Sequence, residues 1–238
     1  MEAAVDLSRY RLALDSSSPI VAMGRVTKVA GFVTEADGPA TQLGSICHIY
    51  PAGNLPRVKA EVLGFRDNRV LLVPLGEIRG IAPGNKVVAR DQDASIEVGD
   101  GLLGRVIDGL GNPIDGKGPI LSRTAYPLYT NPINPLLRKR IDQPLDLGIR
   151  AINGVLTVGC GQRMGIFAGS GVGKSVLLGM IARNTTADVN VIALIGERGR
   201  ELNDFIQKEL GEEGLKRSVV VVATSDHLPL VRMRGAFI

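Results

Sequence analysis

The chain is 238 residues long, 45% of them hydrophobic, with a formal net charge of +4, enough for one large domain or for a small domain beside a medium one. Its 30 glycines and 13 prolines are set among ordinary apolar content, which excludes a disordered chain, and no apolar run approaches the roughly 20 residues that cross a bilayer. The cysteines, Cys47 and Cys160, lie far apart without CxxC spacing or a neighbouring histidine, so reduced thiols are expected rather than a disulfide or a metal site.

Residues 1–19 carry acids and no charged-then-apolar signal pattern; they predict a short helix or frayed tail on a cytosolic protein. From 20 to 95 the runs VAMGRVTKVAGFVTE, SICHIYP, KAEVLGFRDNRVLLVPL and NKVVARD are short, β-rich and separated by Gly, Pro and Asn-Leu-Pro turns, with Arg66-Asp67-Asn68 reading as a hairpin. Such strands predict a small antiparallel β-barrel, closed to hide its edges. Residues 96–150 form a Gly- and Pro-rich connection. In it GDGLLGRVIDGLGNPIDGKGP reads as tight turns around the short strand Val106-Ile107, and YPLYTNPINPLLRKRIDQPLDLG as a strap lying extended across the next domain. Arg138-Lys139-Arg140 is the only dense basic cluster and reads as a solvated turn rather than a nucleic-acid footprint.

The remaining part, 151–238, is organised around RMGIFAGSGVGKSVLLGMIAR. Residues 163–168 read as a buried strand, and beyond the glycines Val176, Leu177, Met180 and Ile181 fall on one helical face. Between strand and helix lies a phosphate-binding loop, with Ala168 in place of its first glycine. Gly169, Gly171 and Gly173 let the main chain wrap a polyphosphate, so that amides of Gly169, Ser170, Gly171, Val172, Gly173 and Lys174, with Ser175 and Val176 at the helix start, face the anion. Lys174 supplies a point charge for the β and γ phosphates, and the Ser175 hydroxyl suits the Mg²⁺ that bridges them.

Downstream, 189–195 is nearly continuously apolar, as in a strand buried on both faces of a parallel sheet. The stretch 201–210 then puts Leu202, Phe205, Ile206 and Leu210 on one helical face, and 218–224 is Val-rich. This alternation predicts an α/β P-loop domain of the RecA-like kind. Ligands sit at the carboxyl ends of parallel strands, so Glu197, just past the second strand, is nominated to face the crevice of Lys174. It either orients a water for in-line attack on the γ-phosphorus or is a surface acid paired with Arg198 or Arg200.

Over residues 20 to 238 the segments LGRVIDGLGNPIDGKGP, PLDLGIRAINGVLTVGCGQRMGIFAGSGVGKSVLLGMIAR, ALIGERGRE and VVVVATSD resemble the flagellar branch of the type III secretion ATPase family, itself similar to the catalytic subunits of rotary ATP synthases. The resemblance implies ATP and Mg²⁺ as ligands, Lys174 as the phosphate-binding lysine, Ser175 as the Mg²⁺ ligand and Glu197 as the water-activating glutamate. Arg198 would be the neighbour of that glutamate, and Glu201 an acid near the metal-bound water. It further implies a homohexameric ring at the inner face of the cytoplasmic membrane that hydrolyses ATP to drive flagellar protein export. Its partners would be a regulatory stator-like protein, a central-stalk-like protein, export substrates and their chaperones, with no nucleic acid. In the family, a second Mg²⁺-organising aspartate, an arginine finger, much of the adenine pocket and a C-terminal helical domain follow; they have no counterpart here, so the α/β domain is expected to be incomplete and turnover low. A virulence injectisome ATPase is the nearest alternative. A hexameric RNA helicase or termination factor would need stacking aromatics in the barrel, and the first 90 residues hold only Tyr10, Phe32, Tyr50 and Phe65 and no Trp; a ring-assembly or docking module is the third reading.

Overall fold

The computed structural model describes residues 21–53, 55–90, 94–121, 124–169 and 171–238. The expected N-terminal tail lies outside them. The chain divides into two compact units, Met1–Ala94 and Ser95–Ile238.

The first unit is the expected closed barrel. Its strands are β1 Met23–Ala30, β2 Val33–Asp37, β3 Ile46–Tyr50, β4 Val58–Arg66, β5 Arg69–Pro74 and β6 Lys86–Ala89, in the order β1-β2-β5-β4-β3-β6, with β6 returning to β1. Alternation along each strand sends one set of side chains inward, and Val26, Ala36, Cys47, Ile49, Ala60, Val62, Val70, Leu72 and Val87 fill the interior. Asp67 (φ 50°) and Asn68 (φ 61°) make the two-residue hairpin between β4 and β5, the left-handed pair that matches strand twist and that Asn and Asp tolerate. Irregularities between Val26 and Lys28 and between Val62 and Gly64 bend β1 and β4, as closure requires. Glycine is obligatory at position 24, because a Cβ there would stand 2.3 Å from the Gly38 carbonyl carbon.

In the second unit β7 Ser95–Val98 pairs with β9 Thr124–Pro127, while β8 Arg105–Asp108, β10 Asn190–Ile195 and β11 Ser218–Ala223 form a parallel sheet in the order β10-β11-β8. The glycine-rich stretch thus contributes a sheet strand. Arg105 fixes it: its guanidinium makes two bonds to Asp115, at 2.7 and 2.9 Å, with both side chains nearly buried. Asp115 also accepts from the Val106 and Lys117 amides. Residues 131–144 run extended and exposed but for a 3₁₀ turn, Pro135–Leu137, and Arg138, Lys139 and Arg140 are all solvated.

Four short helices follow: α1 Lys174–Asn184, α2 Gly199–Asp204, α3 Gly211–Lys216 and α4 Pro229–Gly235, with a π-helical stretch, Phe205–Leu210, joining α2 to α3. The face expected over 201–210 is the buried one: Phe205, Leu210, Leu202 and Ile206 pack with Val106, Leu194, Val220 and Val222. Every residue of β11 is buried. Val220 and Val222 enter that cluster, whereas Val219 and Val221 meet Ile107, Ile96, Leu102 and Ile120 on the other side. Each such valine contributes about 1.5–3 kcal/mol of burial.

Three expectations change. Residues 163–168 form no strand; Phe167 is 97% exposed. Apolar content makes a strand only where a ladder satisfies its backbone groups, and among the described residues no strand pairs with this segment. Residues 189–195 do not form a strand buried on both faces: β10 is an edge strand, with Leu194 covered and Val191 68% exposed. On α1 half of the expected face is borne out: Leu177 and Ile181 are half-buried and pack with Leu147, Ile152 and Val158, whereas Val176 and Met180 are exposed and the fully buried residues are Gly179 and Ala182. The cause is close packing against the π-helical stretch, since a Cβ on Gly179 would lie 2.6 Å from the Glu209 carbonyl oxygen.

Candidate functional site

The glycine-rich loop leads into α1. Gly171 and Gly173 take φ of 76° and 93°, the left-handed region that L side chains avoid. Neither they nor Gly169 has an atom within 4 Å of where a Cβ would stand, so the main chain here is open to a close ligand. Gly173 caps α1 with no side-chain hydrogen bond. Gly173 thus offers the first-turn amides no side-chain acceptor, and with the helix dipole those amides favour an anion. Val172, Ser175 and Val176 are exposed around the loop. Ser170 lies outside the described residues.

Lys174, the first residue of α1, meets Glu197 from the loop after β10, with Nζ 3.8 Å from Oε1 and both side chains about two-fifths exposed (42% and 41%). The pairing follows from topology. Parallel strands end on one side of a sheet, and α1 packs against the cluster that covers β10 and β11. Of the two readings left open for Glu197, a surface pair with Arg198 or Arg200 describes Glu201 instead. The Glu201 carboxylate lies 3.3 Å from Arg198 and 4.0 Å from Arg200. Among the described residues no cluster of three or more His, Cys, Asp or Glu side chains forms a cage for a metal ion. A hydroxyl such as Ser175, with phosphate oxygens and water, suits Mg²⁺, which seldom takes an all-protein cage.

Two supporting groups were not singled out in the sequence. Arg217, at the start of β11, donates to the carbonyls of Ala182, Thr185 and Ala187, at 2.9, 2.7 and 3.3 Å, and so closes the far end of α1 with a cation. At the other end of β11, Thr224 and His227 are 2.8 Å apart, Oγ1 to Nδ1, in a turn that touches the Glu197 main chain. The signal available for the second was Thr-Ser-Asp directly after a run of valines, a turn at the carboxyl end of a buried strand.

An open glycine loop at the head of a helix, a lysine at its first position and an acid from the neighbouring strand define a P-loop nucleotide-binding α/β unit. Models of the ATP synthase alpha/beta family match both units, its beta-barrel domain over residues 26–90 and its nucleotide-binding domain over 148–238, and the chain belongs to that family. Within it the resemblance to the flagellar and type III secretion ATPases holds. The chain is 52% identical to the flagellum-specific ATP synthase of Bacillus subtilis, over 90% of this chain and 49% of that protein. It is 49% identical to the flagellum-specific ATP synthase of Pseudomonas aeruginosa, over 97% of this chain and 51% of that protein. Among solved structures it is similar to the assembled ATPase EscN, in complex with its central stalk EscO, from the enteropathogenic E. coli type III secretion system: TM-score 0.81, 44% identity, 90% of this chain and 52% of that one. The chain thus spans about half the length of the curated relatives it matches. Among the described residues no helix is long and apolar enough to cross a membrane.

Proposed function

We propose that this chain is the nucleotide-handling part of an ATPase that energises protein export through the flagellar type III secretion apparatus. The single observation that carries the reading is Lys174 opposite Glu197 at 3.8 Å, beside a glycine loop open to a ligand. ATP binds with its phosphates along the amides of residues 169–174. Lys174 exchanges Glu197 for the β and γ oxygens, and the Ser175 hydroxyl would help to hold Mg²⁺, which would supply charge neutralisation there. Glu197, released from the lysine, accepts a hydrogen bond from the attacking water and orients it toward the γ-phosphorus. Arg198 pairs with Glu201 at 3.3 Å, and Glu201 would be the acid that serves the metal-bound water. The flagellar reading is preferred over the injectisome on the identity of the relatives.

A cytoplasmic homohexamer, peripheral at the membrane's inner face, with a central-stalk-like partner, a stator-like regulator, export substrates and chaperones, completes the proposal. The assembled EscN and its EscO stalk support the ring and the stalk. The test is titration of ATP against this chain and against Lys174→Ala, each with and without Mg²⁺. The parent binds more tightly with Mg²⁺, and the variant loses on the order of tenfold or more in affinity, the scale of a charge-assisted contact. Equal binding by the two refutes the site.

A further inference from the structure

Glu197 lies just past β10, and its main chain prolongs the β10–β11 ladder beyond both strands. The Gly196 amide donates to the Ala223 carbonyl at 2.7 Å, and the Ser225 amide to the Glu197 carbonyl at 3.0 Å. Whatever holds residues 224–227 therefore holds Glu197 against the end of the central strand.

The turn is held by more than its backbone. Its closing bond, from the His227 amide to the Thr224 carbonyl, is 3.1 Å long. Thr224 is only 5% exposed, and its hydroxyl oxygen is 2.8 Å from Nδ1 of His227. A hydroxyl can donate or accept, and a histidine ring nitrogen does one or the other according to its tautomer, so the pair bonds in either direction. The bond ties the first residue of the turn to the last, at a buried oxygen. Beside it, the Thr224 hydroxyl holds the Asp226 carboxyl below its ordinary value.

We infer that Thr224 is a positioning residue for Glu197: by bonding His227 its hydroxyl fixes the turn whose Ser225 amide holds the Glu197 main chain, and so sets the carboxylate opposite Lys174. The inference rests on the nucleotide-binding reading above for its functional consequence, though not for its geometry. Its logic is that of other supporting shells, in which a reactive side chain is no better placed than the groups that hold its backbone.

Thr224→Val removes the hydroxyl at nearly constant volume, and Thr224→Ser keeps it. Hydrogen–deuterium exchange resolved by peptide is the first measurement. Thr224→Val speeds exchange over 195–201 and 224–228 by about tenfold or more, Thr224→Ser restores it, and peptides of β1–β6 are unchanged. Unaltered exchange at 195–201 overturns the inference, whatever the chain binds. The second measurement compares ATP with ADP, titrated without Mg²⁺. A carboxylate facing Lys174 repels the γ-phosphate, so Glu197→Gln tightens ATP relative to ADP by about threefold or more. Thr224→Val moves the same ratio in the same direction, and in the Glu197→Gln background it adds less than about twofold, because both act through one carboxylate. Factors that multiply independently, or equal weakening of ATP and ADP, overturn the positioning role and leave the nucleotide reading intact. If instead Lys174→Ala and Glu197→Gln leave ATP binding unchanged, the nucleotide reading fails, and the exchange measurement alone decides whether Thr224 positions Glu197.

Discussion

The barrel and the sheet treat strand edges in opposite ways. In the barrel each of the six strands is bonded on both sides, so the ladder is complete and the residues left over face solvent. In the sheet, among the described residues, only β11 lies between two strands: β10 carries an open side, and the outer side of β8 is met only by the turn at 112–114. A closed ladder leaves little for a ligand to approach except side chains, whereas an open parallel sheet gathers its loops at one end. The chemistry-bearing residues follow that division. Lys174, Glu197 and Thr224 all stand at helix or strand ends of the second unit, while the charged groups of the barrel, such as Glu35 with Arg66 and Arg69, tie strands to each other.

The largest way to break the contrast is to loosen β8, the strand that the glycine-rich stretch contributes. Asp115→Ala strands the Arg105 guanidinium and the Val106 and Lys117 amides. Breaking a nearly buried pair by removing one partner costs about 3 kcal/mol or more. Exchange over 105–108 and 218–223 should quicken accordingly, with barrel peptides unaffected. If barrel peptides quicken in step, the two units unfold together and the contrast between them carries no energetic meaning.

This asymmetry also governs what the sequence revealed. Alternation within 20–95 sufficed for the barrel, because each run must bury one face whatever its partner and Asp67-Asn68 announces its hairpin; the pairings β2 with β5, β3 with β6 and β1 with β6 were not legible in it. The valine run of β11 was legible for the related reason that a strand between two partners needs apolar residues on both faces. Residues 163–168 misled, since composition cannot supply a ladder partner. On α1 the pattern favoured four large residues, of which Leu177 and Ile181 pack inward and Val176 and Met180 do not, while close approach of the Glu209 backbone selects Gly179. At the site, the meeting of Lys174 and Glu197 was legible from strand direction alone. The Thr224–His227 bond was not, because a turn's side-chain bonds depend on local geometry that no periodicity encodes.

Acid and base sharpen the contrast, because each unit holds one strongly shifted group. In the barrel, burial pushes the Cys47 thiol up from 9.0 to about 11. The unfolded thiol ionises first, so the contribution, about 2–3 kcal/mol, is fully present below pH 9 and is lost as pH rises toward 11. In the sheet unit, the Arg105 guanidinium holds the Asp115 carboxyl well below the usual carboxylate range. Its contribution is present above the ordinary carboxylate pKa and declines as pH falls through that value toward the folded one. Alkali should therefore quicken exchange in barrel peptides first, and acid in 105–118 first. Cys47→Ala should abolish the alkaline loss specific to the barrel; a loss that persists assigns it to another group.

The smallest expected change in stability is at the site itself. Lys174 and Glu197 are each about two-fifths exposed at 3.8 Å, and an ion pair so placed contributes no more than about 1 kcal/mol. Lys174→Ala should thus leave exchange in α1 and β10 nearly as it is, even while nucleotide affinity falls. That separation is what an open sheet end permits: the loop and its lysine are held by α1, whose far end Arg217 closes and whose packing against residues 205–210 does not involve the lysine. Large destabilisation in Lys174→Ala would mean that the loop is part of the fold's support, and a loss of ATP binding would then say nothing about phosphate contact. With stability unchanged, the same loss isolates the ammonium group as the phosphate partner.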